Sequence, residues 1–413
     1  MHQHPIALGD AIECLHTDRR VPGGDRQGEE ALACLRNGEP ELGDFVTGRH
    51  PALHRIRGDA ARQYHYVHRD QWLPLSARTI PTVTDTPVRD SLAVGTGTTN
   101  DPSAAAGIRT IDTEMAAQRE LNAVYLIESD EPCLVESGPG ADGPVVLAAL
   151  DALGVGSRDL AHIVVTHIHM DHAGGAGELL RRFPNATLWV HERGRQHVLD
   201  PTRLIASTAR TYGEARMRAF YGETLPCPPE RVRPIADGDT ITIGDRSLEV
   251  IFTPGHATHH VALHDPSSGA MFTGEAIGSH LPWADCFRPA LPPPEADLEA
   301  AIESIARMRE RRPTRLLASH FGVVADPDEG FARGAERIRA WAETVRARLA
   351  REPGTNTDAL ERELVVQARR EYESDSGLPF DIGRYDAIGS IRMNAEGLAR
   401  YWRKRWEREA AST

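Results

Sequence analysis

The sequence predicts a layered α/β domain flanked by an N-terminal region and C-terminal helices, and three observations carry that prediction. Short β-branched runs alternate with helical stretches from residue 108 onward. A segment rich in Gly, Ser, Thr and Pro, residues 85–107, separates this texture from what precedes it. A dense histidine motif follows directly on an apolar strand, Ile163-Val164-Val165.

Residues 1–84 mix polar and apolar stretches with scattered histidines and show no helical or strand period, so their fold is not assigned. The pair Cys14 and His16 lacks a second close pair and does not read as a metal site. Residues 85–107 are expected to be a linker. Residues 108–326 form the expected catalytic domain. Its strands are expected at Ala123 to Glu128, Cys133 to Glu136, His162 to Thr166, Thr187 to Val190, Leu248 to Phe252, His260 to His264 and Arg315 to Ser319. Helices are expected near 144–153, 174–183, 201–221 and 295–311, the last after Pro292-Pro293-Pro294. Residues 327–413 carry three more helical stretches, near 330–350, 358–373 and 391–408, expected to pack on the catalytic domain.

Composition narrows the function. With 413 residues, 40% apolar and 26% charged, the chain is not disordered throughout. Its 47 basic and 60 acidic residues give a net charge of -13, which argues against nucleic acid as a partner. No apolar run approaches the roughly 18 residues that span a bilayer. The start Met1-His2-Gln3-His4-Pro5 lacks the layout of a secretory signal, so a cytoplasmic protein without a membrane partner is expected. Its partner is expected to be a small-molecule substrate, and a homo-oligomer is left open. The five cysteines, at 14, 34, 133, 227 and 286, form no C-x-x-C pair and read as ordinary thiols. Lys404 is the single lysine, and its place in a C-terminal basic run excludes P-loop and Schiff-base chemistry. That run, with Arg400, Arg403, Arg405 and Arg408, reads as a solvated face pairing with acidic neighbours. No G-x-S-x-G nucleophile motif is present.

The stretch His167-Ile168-His169-Met170-Asp171-His172 carries the chemistry. An H-x-H-x-D-H arises by chance in roughly a few per thousand chains of this length, so it reads as a metal site. In a loop leaving a strand, His167 and His169 can point toward one ion while Asp171 and His172 turn toward a second. Gly174-Gly175 then allow a tight entry into the next helix. Further ligands are needed, and His256 in T-P-G-H, Glu275 in T-G-E and His320 in S-H-F-G each follow a strand. His259 and His260 suit supporting roles better than ligation, and His162, His191, His197 and His264 read as core or surface histidines. Two wall elements are expected beside the ions. One is 276–294 with His280, Trp283, Phe287 and Arg288, and the other is the helical insert 202–223 with Tyr212, Arg216, Arg218 and Tyr221.

In this order the motifs resemble the metallo-β-lactamase superfamily over roughly Ile108 to Asp326, in the subgroup where its usual acidic-x-Gly turn reads E-S-G-P, here at 136–139. Ile391 to Leu398 is similar to C-terminal tails of hydrolase-like members. The resemblance implies an αββα sandwich. It also implies two divalent ions, zinc with iron or manganese as alternatives, held by His167, His169 and His256 and by Asp171, His172 and His320. The bridging carboxylate, usually Asp, would be Glu275. The implied activity is that of a dinuclear hydrolase using a metal-bridging hydroxide, oriented by Asp171, to cleave an ester, lactone or thioester of a small metabolite. An iron-dependent oxidoreductase of the same fold, similar to sulfur dioxygenases or diiron oxygenases, is the alternative.

Overall fold

Alternating side chains along the strands divide the core into an inner layer between two sheets and two outer layers beneath helices. The computed structural model describes residues 107–387 and 391–412, with the backbone of Thr98–Thr99. The region 1–84, and the 85–107 linker apart from Thr98–Thr99 and Gly107, lie outside the described residues.

The first sheet runs in chain order: β1 (Thr98–Thr99), β2 (Ile108–Asp112), β3 (Ala123–Ile127), β4 (Cys133–Val135), β5 (His162–Val164), β6 (Thr187–His191) and β7 (Val232–Ile235). Pairing is antiparallel as far as β4 and parallel from β4 to β7. Next come β8 (Thr240–Ile243), β9 (Arg246–Phe252), β10 (Val261–Asp265) and β11 (Ala270–Gly274). A two-stranded hairpin of β12 (Ser279–Leu281) and β13 (Cys286–Arg288) precedes β14 (Arg315–Ala318) and β15 (Gly322–Val324). The second sheet has the order β15-β14-β11-β10-β9-β8, with β11 and β14 parallel.

Strand alternation explains the stacking. In β3, Ala123, Tyr125 and Ile127 point into the inner layer while Val124 and Leu126 point outward. In β9 to β14, Leu248, Val250, Leu263, Phe272 and Leu317 face inward, and Ile251, Ala262, Met271 and Leu316 face outward. Each fully buried large side chain there contributes about 1.5–3 kcal/mol of transfer free energy.

The helices are α1 (Gly143–Ala152), α2 (Met170–Ala173), α3 (Ala176–Arg182), α4 (Arg195–Leu199), α5 (Thr202–Tyr212), α6 (Glu214–Tyr221), α7 (Leu298–Glu310), α8 (Pro327–Arg351), α9 (Thr357–Ser376), α10 (Ile382–Tyr385) and α11 (Ile391–Ala411). Val146 and Leu150 of α1 and Leu179 and Leu180 of α3 cover the first sheet. Residues of α7, α8, α9 and α11, among them Ile305, Trp341, Leu364 and Leu398, cover the second. The αββα sandwich expected from the sequence is therefore present. Side-chain caps fix three of the longer helices: Asp297, Asp326 and Asn356 accept from Ala300, Glu329 and Ala359 N–H at 3.1, 3.1 and 3.0 Å. Among the described residues no helix is long and apolar enough to cross a membrane.

Two local expectations change. The helix expected over 201–221 is broken at Gly213 (φ 81°), giving α5 and α6. The short strands β2, β7, β8, β12, β13 and β15 were not anticipated.

Candidate metal centre

β5 ends at Val164, and the chain passes through Thr166 and His167 before His169 starts α2 with extended backbone (φ -59°, ψ 152°). That turn puts His167 and His169 before the helix and Asp171 and His172 on it. A Cβ at Gly174 would lie 2.2 Å from the Met170 carbonyl oxygen, and one at Gly175 2.8 Å from that of Ser137, so both positions require glycine. His256 follows β9, Glu275 follows β11 and His320 follows β14. The two sheets are joined at this edge, where Ala123 N–H donates to Ser319 O and Val261 N–H to Thr166 O, both at 2.8 Å.

All seven side chains converge. His169 Nδ1 lies 3.1 Å from His167 Nε2 and 2.9 Å from His256 Nε2. Asp171 Oδ2 lies 3.3 Å from His320 Nε2 and 3.7 Å from His172 Nε2. Glu275 stands between the groups. Its Oε2 is 2.9 Å from His256 Nε2 and 3.4 Å from Nε2 of both His167 and His172, while its Oε1 is 3.7 Å from His320 Nε2. Ligand atoms of His167, His169, His256 and Glu275 lie within 4.8 Å of one another, and so do those of Asp171, His172 and His320.

Outer contacts fix which nitrogen faces inward. His256 Nδ1–H donates to Ala290 O at 2.9 Å and His320 Nδ1–H to Leu121 O at 2.8 Å, because a carbonyl can only accept. His172 Nδ1 meets the Glu136 carboxylate at 3.1 Å. Thr166 Oγ1 donates to Glu136 at 2.6 Å and so accepts from His167 Nδ1 at 3.0 Å. All four rings therefore turn an Nε2 lone pair toward the centre. Nε2 of His172 and of His320 is buried and has no hydrogen-bond partner among the described residues. Inward lone pairs, two carboxylates and no donor to satisfy them are what a divalent cation requires, and this residue set fits metal ions.

Electrostatics agree. Burial, with His256 beside it, holds the His169 imidazole down at about 3, and burial and His172 hold His167 well below its ordinary value. Burial would raise Asp171, but His172 and His320 outweigh it and bring the carboxyl down to about 2. Burial also disfavours protonated His172, yet Asp171 and then Glu136 raise it well above its ordinary range. A cation between these groups supplies the positive charge that a proton otherwise brings.

Glu136 was read from the sequence only as part of a turn. In the structure its buried carboxylate accepts from Thr166 N and Oγ1, Ser319 Oγ and His172 Nδ1 at 3.1, 2.6, 2.8 and 3.1 Å. It thereby ties together three segments that carry His167, His172 and His320, and these bonds hold it at φ 69°, unusual for a non-glycine residue. Glu136→Gln is expected to weaken metal retention about 10- to 100-fold, read by chelator competition, with the fold intact. Unchanged affinity would remove Glu136 from this role. His260 is a second supporting residue: its Nδ1 meets Thr253 Oγ1 at 2.8 Å, and its Nε2 accepts Glu275 N–H at 3.0 Å. Asn122 donates to Asp171 O at 3.0 Å.

Other expectations are redistributed. His162 pairs with Glu131 at 3.0 Å and His191 stacks on Phe252, both away from the ligand groups. A pocket of about 150 Å³ opens over His169, Asp171, His256 and Glu275. Its walls come from α5, Tyr221 of α6, the Ala290–Pro294 segment and Met393 and Asn394 of α11. Tyr212 and Tyr221 of the expected insert and Ala290 and Pro292 to Pro294 of the expected 276–294 element line this pocket, whereas Phe287 is in the core, Arg288 is buried against the Tyr385 ring and Ser279, and His280 meets Phe321 O at 2.9 Å. Arg218 is exposed and paired with Glu214. On α11, Arg405 pairs with Glu299 and Glu409, as expected of a solvated face.

Residues 119–320 match the profile of the metallo-beta-lactamase superfamily. A hydroxyacylglutathione hydrolase of Aeromonas salmonicida is 35% identical over 160 residues, 38% of this chain and 47% of that protein. An acyl-coenzyme A thioesterase of Gallus gallus is 32% identical over 138 residues, 32% of this chain and 47% of that protein. The chain thus spans about half the length of each of these curated relatives. An archaeal metallo-beta-lactamase superfamily protein from Sulfolobus tokodaii shares the fold, with a TM-score of 0.51 at 22% identity, covering 73% of this chain and all of that one. With its profile match, residues 119–320 of this chain belong to the metallo-beta-lactamase superfamily.

Proposed function

We propose that this chain is a metal-dependent hydrolase that holds two divalent ions and cleaves an ester, lactone or thioester of a small metabolite. His167, His169 and His256 would hold one ion, and Asp171, His172 and His320 the other, with Glu275 shared. The observation that carries this reading is the placement of Glu275, one oxygen 2.9 Å from His256 and the other 3.7 Å from His320. Relatives named as a hydroxyacylglutathione hydrolase and an acyl-coenzyme A thioesterase favour the thioester among the three bonds. Zinc suits the imidazole-rich set best, with iron and manganese as alternatives. We further propose a cytoplasmic protein that takes a small molecule rather than nucleic acid.

Bound ions of this kind supply Lewis acidity and an activated water at neutral pH. The chain supplies the rest. Asp171, anionic and at the pocket floor, accepts the proton of the attacking water and returns it to the leaving alcohol or thiol. Outer hydrogen bonds from Glu136, Ala290 and Leu121 hold the imidazoles in fixed tautomers. Leu204, Ser207, Thr208, Thr211 and Tyr212 of α5 and Tyr221 of α6 line the pocket.

The test is to strip the full chain with a chelator, restore it with zinc, manganese or iron, and assay an ester, lactone and thioester panel. Activity should vanish on stripping and return with metal. Undiminished turnover by the stripped protein, or none by the restored protein across the panel, would contradict the reading.

A further inference from the structure

We infer that Asn394, on the C-terminal helix α11, is a positioning residue for the metal centre: it holds His256 in place through the Ala290–Leu291 peptide, so that the ion at His167, His169 and His256 depends on the docking of α11. This rests on the two-ion reading above. The link runs through one peptide group. Its carbonyl, Ala290 O, accepts from His256 Nδ1–H at 2.9 Å, and its N–H, on Leu291, donates to Asn394 Oδ1 at 2.8 Å. Because a backbone N–H can only donate, the amide oxygen of Asn394 is the end that faces it. The two bonds lie in series on one planar unit, so each polarises the other and displacing one displaces both.

The local sequence explains why a side chain is needed here. Residues 289–294 read Pro-Ala-Leu-Pro-Pro-Pro, so Ala290 and Leu291 carry the only N–H groups of the run. The run lies between the end of β13 at Arg288 and the start of α7 at Leu298, outside any strand ladder. On α11, Ile391, Ala395 and Leu398 share a face with Asn394 and are buried in the core that also takes Leu291. An amide 1% exposed on that apolar face costs stability unless it is bonded, and Leu291 N–H supplies the bond. One turn further along, a Cβ at Gly397 would collide with the Leu291 carbonyl oxygen, so helix and segment are in direct contact. The helix is itself fastened. Trp402 Nε1–H donates to Ala342 O of α8 at 2.9 Å, and Arg392 pairs with Asp358 and Glu361 of α9 at 2.6 and 2.8 Å. His172 and His320 are held by Glu136 and Leu121 O instead, so the other ion has no such tie to α11.

The experiment loads the full chain with cobalt(II) or zinc and compares wild type with Asn394→Ala, Asn394→Asp and Gly397→Ala, with circular dichroism as the check on folding. The visible spectrum of the cobalt form tells a site of three imidazoles from one of two imidazoles and a carboxylate. Under competing chelator, Asn394→Ala should weaken retention of the ion at His167, His169 and His256 about 10-fold and leave the other ion unchanged. In the cobalt form it should also speed solvent exchange of the His256 Nδ1–H proton. Asn394→Asp keeps an acceptor at the same reach and should return retention to within about 3-fold of wild type. Gly397→Ala pushes α11 off the segment while leaving Asn394 in the sequence, and it should reproduce the loss at the same ion; it carries the test if Asn394→Ala does not fold. Unchanged retention in Asn394→Ala or Gly397→Ala, equal losses at both ions, or no rescue by Asn394→Asp overturns the inference while leaving the two-ion reading standing. A wild-type chain that takes up neither cobalt nor zinc overturns both.

Discussion

Asp171→Asn is expected to keep the fold and metal-binding histidines in place while lowering kcat/KM by about a thousandfold. The side chain changes by one atom, and the backbone stays anchored because Asn122 donates to the Asp171 carbonyl at 3.0 Å. What disappears is charge and basicity. His172 and His320 favour the anionic carboxylate, whereas the amide neither accepts a proton nor balances a cation. Circular dichroism checks the fold, elemental analysis the metal, and steady-state kinetics the loss. Near wild-type turnover with full metal content would take Asp171 out of the site.

Shortening Glu275 to Asp should reduce metal content from about two ions toward one, with the ion at Asp171, His172 and His320 lost first. A backbone shift cannot recover the missing methylene easily. Glu275 N–H is bound to His260 Nε2 at 3.0 Å, and a Cβ at the preceding Gly274 would already lie 2.4 Å from that same nitrogen. The carboxylate therefore withdraws from His320, which it reaches at only 3.7 Å in the native chain. Glu275→Gln keeps the length and removes the charge, and it should weaken the same ion. Titration with zinc under competing chelator reads both variants. Unchanged two-ion content in both would show that Glu275 does not bridge.

The histidine motif was legible because its residues sit together after a β-branched strand, and His256, Glu275 and His320 because each follows a strand end. Glu136 was not legible as a functional residue. Its partners Thr166, His172 and Ser319 come from distant segments, and no local pattern announces a carboxylate that accepts from all three. The break between α5 and α6 was missed because the helical period continues on both sides of Gly213, and only its backbone conformation marks the change. Both expected wall elements reach the pocket, but residues 279–288 do not, because they fold into the β12–β13 hairpin, which turns Phe287 into the core beneath the C-terminal helices. Strands of three residues such as β12, β13 and β15 are too short to establish an alternation that could be read. Layer architecture was readable, since the short apolar runs of β3 and β9 supply the residues that fill the inner and outer layers.

We propose that these seven side chains form two cation sites sharing one carboxylate. Elemental analysis of the natively metallated full chain tests it most directly, read together with the visible spectrum. About two ions per chain are expected, zinc for the hydrolase, because seven inward ligands exceed what one ion uses. Iron with a visible absorption band would move the assignment to the oxidoreductase alternative. A stoichiometry that stays near one after supplementation with zinc, manganese and iron would contradict the two-site arrangement itself.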